Sequence, residues 1–192
     1  MRFAYADPPY PGQALRLYGN HPDYAGEVNH AELVARLMRD YSDGWALSTS
    51  ASALPEVLAV CPYTRGTDPK HPGRVERDKS VRVLAWIKPG APPYPVRVQF
   101  TWEPIILWGG RPYNGGPRTV KDTLIAPVES FQYRPKPAGW VKGAKPPVFC
   151  RWIFECLGAR AEDELHDLFP GSGIFQREWD SWARQLSLLD SA

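Results

Sequence analysis

Cysteine and histidine are scarce in this chain, and their pattern closes off several chemistries. Cys61, Cys150 and Cys156 make an odd count without a Cys-x-x-Cys spacing. Neither a disulfide framework nor a thiolate zinc site is expected from them, and reduced, buried thiols are. His21, His30, His71 and His166 are scattered, so no metal centre is expected. No apolar run approaches the roughly 20 residues that cross a bilayer. The opening Met1-Arg2-Phe3-Ala4 is not a secretory leader. The expected setting is therefore cytoplasmic, with no membrane partner. An excess of one charge sign is lacking too: the formal balance of +2 does not advertise a polyanionic partner by itself. No internal repeat or domain boundary interrupts the 192 residues, a length suited to one domain with a real core.

Proline and glycine, by contrast, are plentiful, and two of their clusters bear on chemistry. Phe3-Ala4-Tyr5-Ala6 reads as a buried strand that runs into Asp7-Pro8-Pro9-Tyr10. The prolines fix φ and cannot donate, so they stop the strand and stiffen the turn. Pro9 also restricts Pro8 and so sets the direction of the Asp7 and Pro8 carbonyls. The product is either a rigid ledge for a planar group carrying an NH₂ or a plain Pro-Pro turn with a packing tyrosine. Near the other end, a strand-like stretch from Leu165 to Phe169 passes through Pro170-Gly171-Ser172-Gly173 into a helical one from Ile174 to Leu189. Glycines between a strand and a helix let backbone approach a ligand and leave amides exposed at the helix start.

Between these ends strand and helix alternate, which predicts an α/β three-layer fold. A helix opens at Asn29 or His30, with Leu33, Val34, Leu37, Met38 and Tyr41 on one face, and stops at Asp43-Gly44. Trp45 to Ser50 reads as a strand, Ala53 to Val60 as a short helix, Val81 to Trp86 and Pro104 to Trp108 as strands, and Phe149 to Gly158 as a helix. Residues 11–29 read as a surface loop. Residues 62–80 and 109–147 are expected to be basic loops, the second dense in Gly and Pro. In the longer one Arg111, Arg118, Lys121, Arg134 and Lys136 are interleaved with Tyr113, Phe131, Tyr133 and Trp140, against only Asp122 and Glu129 as acids. Cations with aromatics on a loop suit phosphate contact and base stacking; the alternative is a solvated connector whose rings cover the sheet edge.

Asp-Pro-Pro-Tyr followed far downstream by Phe169-x-Gly171-x-Gly173 resembles the catalytic and cofactor motifs of S-adenosylmethionine-dependent amino-methyltransferases, above all DNA adenine-N6 methyltransferases. With the catalytic motif first, the order is that of the circularly permuted class called beta. The resemblance spans nearly the whole chain, though its sharp motifs lie at the two ends. It implies a Rossmann-like methyltransferase sandwich with a mostly parallel sheet, permuted and reduced, acting on N6 of adenine in DNA. Asp7 and the Pro8 carbonyl would accept from the amine, Pro9 would stiffen the ledge, and Tyr10 would stack on an extruded base. The cofactor would lie against Asp7, Lys145, Asp167, Phe169, Gly171, Ser172 and Gly173. Lys88, with the loop cations, would meet nucleic acid.

Trp86-Ile87-Lys88-Pro89 and Trp102-Glu103-Pro104 resemble the family's middle, where Glu103 reads either as an active-site acid or as a loop anchor, the anchor slightly favoured. The tryptophans read mainly as core. Cytosine-N4 and RNA adenine remain alternative targets, as does an inactive nucleic-acid-binding subunit. One departure stands out: no Gly-x-Glu strand follows the last helix to bind the cofactor ribose. That implies weaker cofactor binding, or a homodimer or partner subunit that completes the fold. Compact chains of this kind resemble phage-encoded or prophage-like modification enzymes.

Overall fold

The structure, a computed structural model, describes residues 1–12, 14–15, 19, 26–62, 80–90, 95–115, 119–128 and 144–190. Six strands and four helices are assigned among the described residues: β1 (Arg2–Ala6), α1 (His30–Asp40), β2 (Gly44–Ser48), α2 (Leu54–Ala59), β3 (Arg82–Ile87), β4 (Trp102–Gly109), β5 (Thr123–Ile125), α3 (Pro147–Leu157), β6 (Glu164–Asp167) and α4 (Ile174–Asp190). Local chemistry sets several ends. Asn29 caps α1 by accepting from the amides of Ala31 and Glu32. Pro147 opens α3 where no amide partner is needed, and Gly158, at φ 63°, closes it in the left-handed region.

The strands form one sheet in the order β5-β3-β4-β2-β1-β6. β1 pairs in parallel with β2 and β6, β3 pairs in parallel with β5, and β4 runs antiparallel between β2 and β3. Five strands therefore share a direction and β4 opposes them, so the sheet is mixed. β5 is a correction to the sequence reading, which took all of 109–147 as loop. Three residues are too few for periodicity to register, and the strand exists through its pairing of Thr123, Leu124 and Ile125 with Ala85, Trp86 and Ile87.

Side-chain alternation along the strands feeds two cores. On one face Phe3, Tyr5, Ala46, Leu84, Trp86, Ile105, Leu107 and Leu165 pack against Phe149, Ile153 and Phe154 of α3 and Phe175 and Trp179 of α4. On the other, Ala4, Ala6, Trp45, Leu47 and Ile106 meet Leu33, Val34 and Leu37 of α1 and Val57 of α2. The three-layer expectation holds. Trp45, Trp86, Trp152 and Trp179 are buried, as the core reading required, whereas Trp102 is exposed. Burial pushes the thiols of Cys61, Cys150 and Cys156 up to about 11, 12 and 12, so all three are free and protonated at neutral pH. Among the described residues no helix is long and apolar enough to cross a membrane.

This layout makes the end of β1 a topological switch point, where a crevice is expected. α1 follows β1 onto one face and α4 follows β6 onto the other, although β1 and β6 are neighbours. Helices that part in this way leave an opening beyond the carboxyl ends of the strands, where open α/β sheets bind ligands.

Candidate active site

Asp7 stands at the mouth of that crevice because it directly follows β1. Strand alternation gives it the same face as Phe3 and Tyr5, against α3 and α4. The same logic brings other polar side chains to this edge. Ser48 ends β2, and its Oγ meets the Tyr5 hydroxyl at 2.9 Å. Glu103 lies near the start of β4 opposite Trp86 of β3, and since β4 is reversed its start coincides with the ends of its neighbours. Lys88 follows β3. Lys145 enters from the residues just before α3, and Asp167 ends β6.

Lys145 is the centre of the charge arrangement. Its ammonium lies 3.1 Å from Asp7 Oδ2 and 2.6 Å from Glu103 Oε1. It is also 5.7 Å from the ring centres of Trp86 and Phe149, which wall it off from solvent. Lys88 holds the second Glu103 oxygen at 3.3 Å, and Tyr10 is near enough to help hold the Glu103 carboxyl down. Burial pushes the Asp7 carboxyl up, Lys145 pulls it back and Glu103 pushes it up again, leaving it raised. Glu103 ends below the usual carboxylate range: burial alone would raise it, but Lys145 and Lys88 outweigh that. Burial would strip the Lys145 ammonium of its proton, yet Asp7 and Glu103 hold it well above the ordinary lysine value. Lys145 is a fixed cation here, not a base.

The glycine turn flanks this network. Leu168 N donates to Tyr5 O at 2.9 Å, which ties the end of β6 to the end of β1. Asp167 accepts from Phe169 N at 3.1 Å and has no cationic side-chain partner among the described residues. Its carboxyl is pushed up to about 6, first by burial, against the pull of the Phe169 amide, with Asp7 adding to the rise. Gly171 and Gly173 have φ of 43° and 68°, and a side chain at Gly171 would find only Phe169 O, at 3.8 Å. Gly171 thus has open space beside it among the described residues, while Arg177 packs on Gly173 and donates to the Ser172 carbonyl at 2.9 Å. Phe175, in the first turn of α4, stacks on Tyr5 at 4.0 Å between ring centres and fixes how the helix leaves the turn.

Asp7, Pro8, Pro9, Tyr10, Lys145, Asp167, Phe169, Gly171, Ser172 and Gly173 therefore all belong to the β1–β6 end of the sheet. Three residues join them. Glu103, open between an active-site acid and a loop anchor, sits inside the ion network, and Tyr5 and Ser48, which the sequence did not single out, form a buried hydroxyl pair behind Asp7. Only the strand pairing could have revealed that pair.

The nucleic-acid candidates divide. Lys88 shares the edge with Asp7. Arg111 follows β4 at the opposite edge, where its guanidinium bonds both Asp163 oxygens at 2.8 and 2.6 Å and the Gly158 carbonyl at 2.9 Å. It is an internal tie, and the phosphate role expected for it is withdrawn. Lys121 precedes β5 at that same far edge, and its carbonyl accepts from Trp152 Nε1. Arg118, Arg134 and Lys136, with nearly all of the 62–80 loop, lie outside the described residues. No protein-family model matches the chain, and no curated protein matches it.

Proposed function

We propose that this protein is an S-adenosylmethionine-dependent methyltransferase acting on the exocyclic amine of a nucleobase, with N6 of adenine in DNA as the substrate. One observation carries the reading: the Asp7-Pro8-Pro9-Tyr10 ledge and the Phe169–Gly173 turn, about 160 residues apart in sequence, open from adjacent parallel strand ends. The sheet order and its reversed β4 are compatible with a permuted methyltransferase sandwich.

The residues at the crevice fit the cofactor's chemistry. Its sulfonium and ammonium are cations, and Asp7 and Asp167 supply carboxylates, the latter without a cationic partner among the described residues. Gly171 leaves room for close backbone approach, whereas at Gly173 the Arg177 guanidinium lies 3.0 Å from where a Cβ would stand. Asp167, Phe169, Gly171, Ser172 and Gly173 would hold the cofactor, which when bound supplies the methyl group.

The protein's own task is to orient the acceptor amine. An exocyclic amine is a poor nucleophile because its lone pair is delocalised into the ring. Accepting hydrogen bonds from its two N–H groups at Asp7 and at the Pro8 carbonyl draws the nitrogen toward tetrahedral geometry and localises the lone pair. Pro8 and Pro9 keep those two acceptors from relaxing, so little reorganisation remains at the moment of transfer. The Tyr10 ring offers the flat face for an extruded base. Asp7 need not be a strong base, since the amine proton becomes acidic only once the new bond has formed.

Nucleoside mass spectrometry of DNA incubated with the protein and S-adenosylmethionine tests this. N6-methyladenine is the expected product, falling by about 100-fold or more in Asp7→Ala, the scale of losing one preorganised polar contact. N4-methylcytosine instead would move the assignment to cytosine. No methylated base in DNA or RNA, or equal product from Asp7→Ala, would sink the reading.

A further inference from the structure

The charge beneath Asp7 exceeds what a ledge for an amine requires. Taking an ammonium into the interior costs several kcal/mol even after relaxation, and the Lys145 side chain is only 8% exposed. Glu103, equally buried, meets it at 2.6 Å. Apolar residues would fill this space with equal or better stability, since replacing a buried ion pair by hydrophobic groups is often neutral or favourable. A second feature points to a use. The network is asymmetric: the Lys145 ammonium lies 2.6 Å from Glu103 Oε1 but 3.1 Å from Asp7, which it meets through Oδ2. Asp7 is also the open end, its side chain 25% exposed against 8% for both Lys145 and Glu103.

We propose that Lys145 and Glu103 are positioning residues of this site: Lys145 ties down one oxygen of Asp7 and leaves the other to accept from the exocyclic amine, while Glu103 holds Lys145 in place. This rests on the amino-methyltransferase reading above. Lys145 acts through Asp7 in two ways. It fixes the carboxylate's rotation, and it supplies the positive charge that pulls the Asp7 carboxyl down against burial. Glu103 balances that charge, and Lys88 holds Glu103 from the outer side. Two carboxylates and two ammoniums leave the quartet neutral. The groups that bear on the Asp7 charge are thus Lys145, Glu103, Lys88, Tyr5, Tyr10 and Asp167.

The test follows the Asp7 carboxyl itself, by carbon-13 NMR of the aspartate-labelled protein, with the pH dependence of methyl transfer as a second arm. Lys145→Met removes the inner cation, so Asp7 should titrate at higher pH than in the wild type. Lys88→Met, at the partly exposed outer end and safer for folding, should move it the same way by less. Glu103→Gln removes a neighbouring anion and should move it to lower pH. Opposite displacements are what a general loosening of the fold would not produce. The acid limb of the rate profile should follow each titration, and Lys145→Met should lose about 100-fold in rate, the cost of a small misplacement at a reacting centre. An Asp7 titration that is the same in all the proteins overturns the proposal. Displacements as stated in the variants, with a wild type that methylates no base, would overturn the assigned function while supporting the charge network.

Discussion

Asp167 is the residue whose protonation matters most outside the lysine network. Burial pushes its carboxyl up to about 6, against about 3.9 for an unfolded aspartate. A group raised on folding contributes stability that is present below the unfolded value and lost as pH rises through the folded one. Asp167→Asn removes that loss while keeping an acceptor for the Phe169 amide. The variant should therefore gain thermal stability over wild type at pH 8, with the gain vanishing toward pH 4; scanning calorimetry at both ends decides. If Asp167 faces a cationic cofactor group, wild-type affinity for S-adenosylmethionine should also rise between pH 5 and pH 7.5. Asp167→Asn should flatten that rise in titration calorimetry.

At the scale of elements, α3 delivers Lys145 to the site, so its two ends matter. Its N-terminus is set by Pro146 and Pro147, and its C-terminus by Gly158, whose left-handed backbone lets Ala159 N reach the Phe154 carbonyl at 2.9 Å. A side chain there would be strained by about 1–2 kcal/mol from the positive φ alone. It would also place its Cβ 2.9 Å from Arg111 Cβ, so Arg111 must shift. Gly158→Ala should therefore cost about 2 kcal/mol or more in denaturant unfolding. The parting of α1 and α4 to opposite faces is the second element-scale feature that builds the site, because it puts a topological switch point at the end of β1.

Across the whole molecule, Asp163 knots the edge of the sheet that faces away from Asp7. Its side chain, 1% exposed, receives Arg111 and the terminal ammonium of Met1, at 2.7 Å, and also accepts from Arg160 N at 2.8 Å. Burial would raise this carboxyl, but the ammonium, Arg111 and the Arg160 amide together hold it below the usual carboxylate range. The stability it adds is present above the unfolded value and lost as pH falls through the depressed one. Asp163→Ala leaves the Arg111 guanidinium without its partner and should cost about 3–5 kcal/mol at pH 7. The difference from wild type should shrink on acidification below pH ~4, as urea unfolding at pH 7 and pH 3 would show.

Much was legible locally. Apolar spacing from Leu33 to Tyr41 with Asn29 as a cap determined α1, and the runs 3–6, 45–48 and 104–108 determined strands, because 3.6- and 2-residue periods survive in a single sequence. The Asp7 turn and the Gly171–Gly173 turn were readable because proline and glycine restrict or free φ wherever they stand. Three things were not local. β5 had to be recruited by the edge of β3; Arg111, one cation among many in a basic loop, was captured by Asp163 from 52 residues away. Glu103 became part of the site only because β4 runs backwards and brings its first residues beside the last residues of β3. Which residue types were present was a property of the chain. That Asp7, Glu103 and Lys145 share one small volume was decided by strand order, since only packing can bring like charges together with the cation that makes the arrangement tolerable.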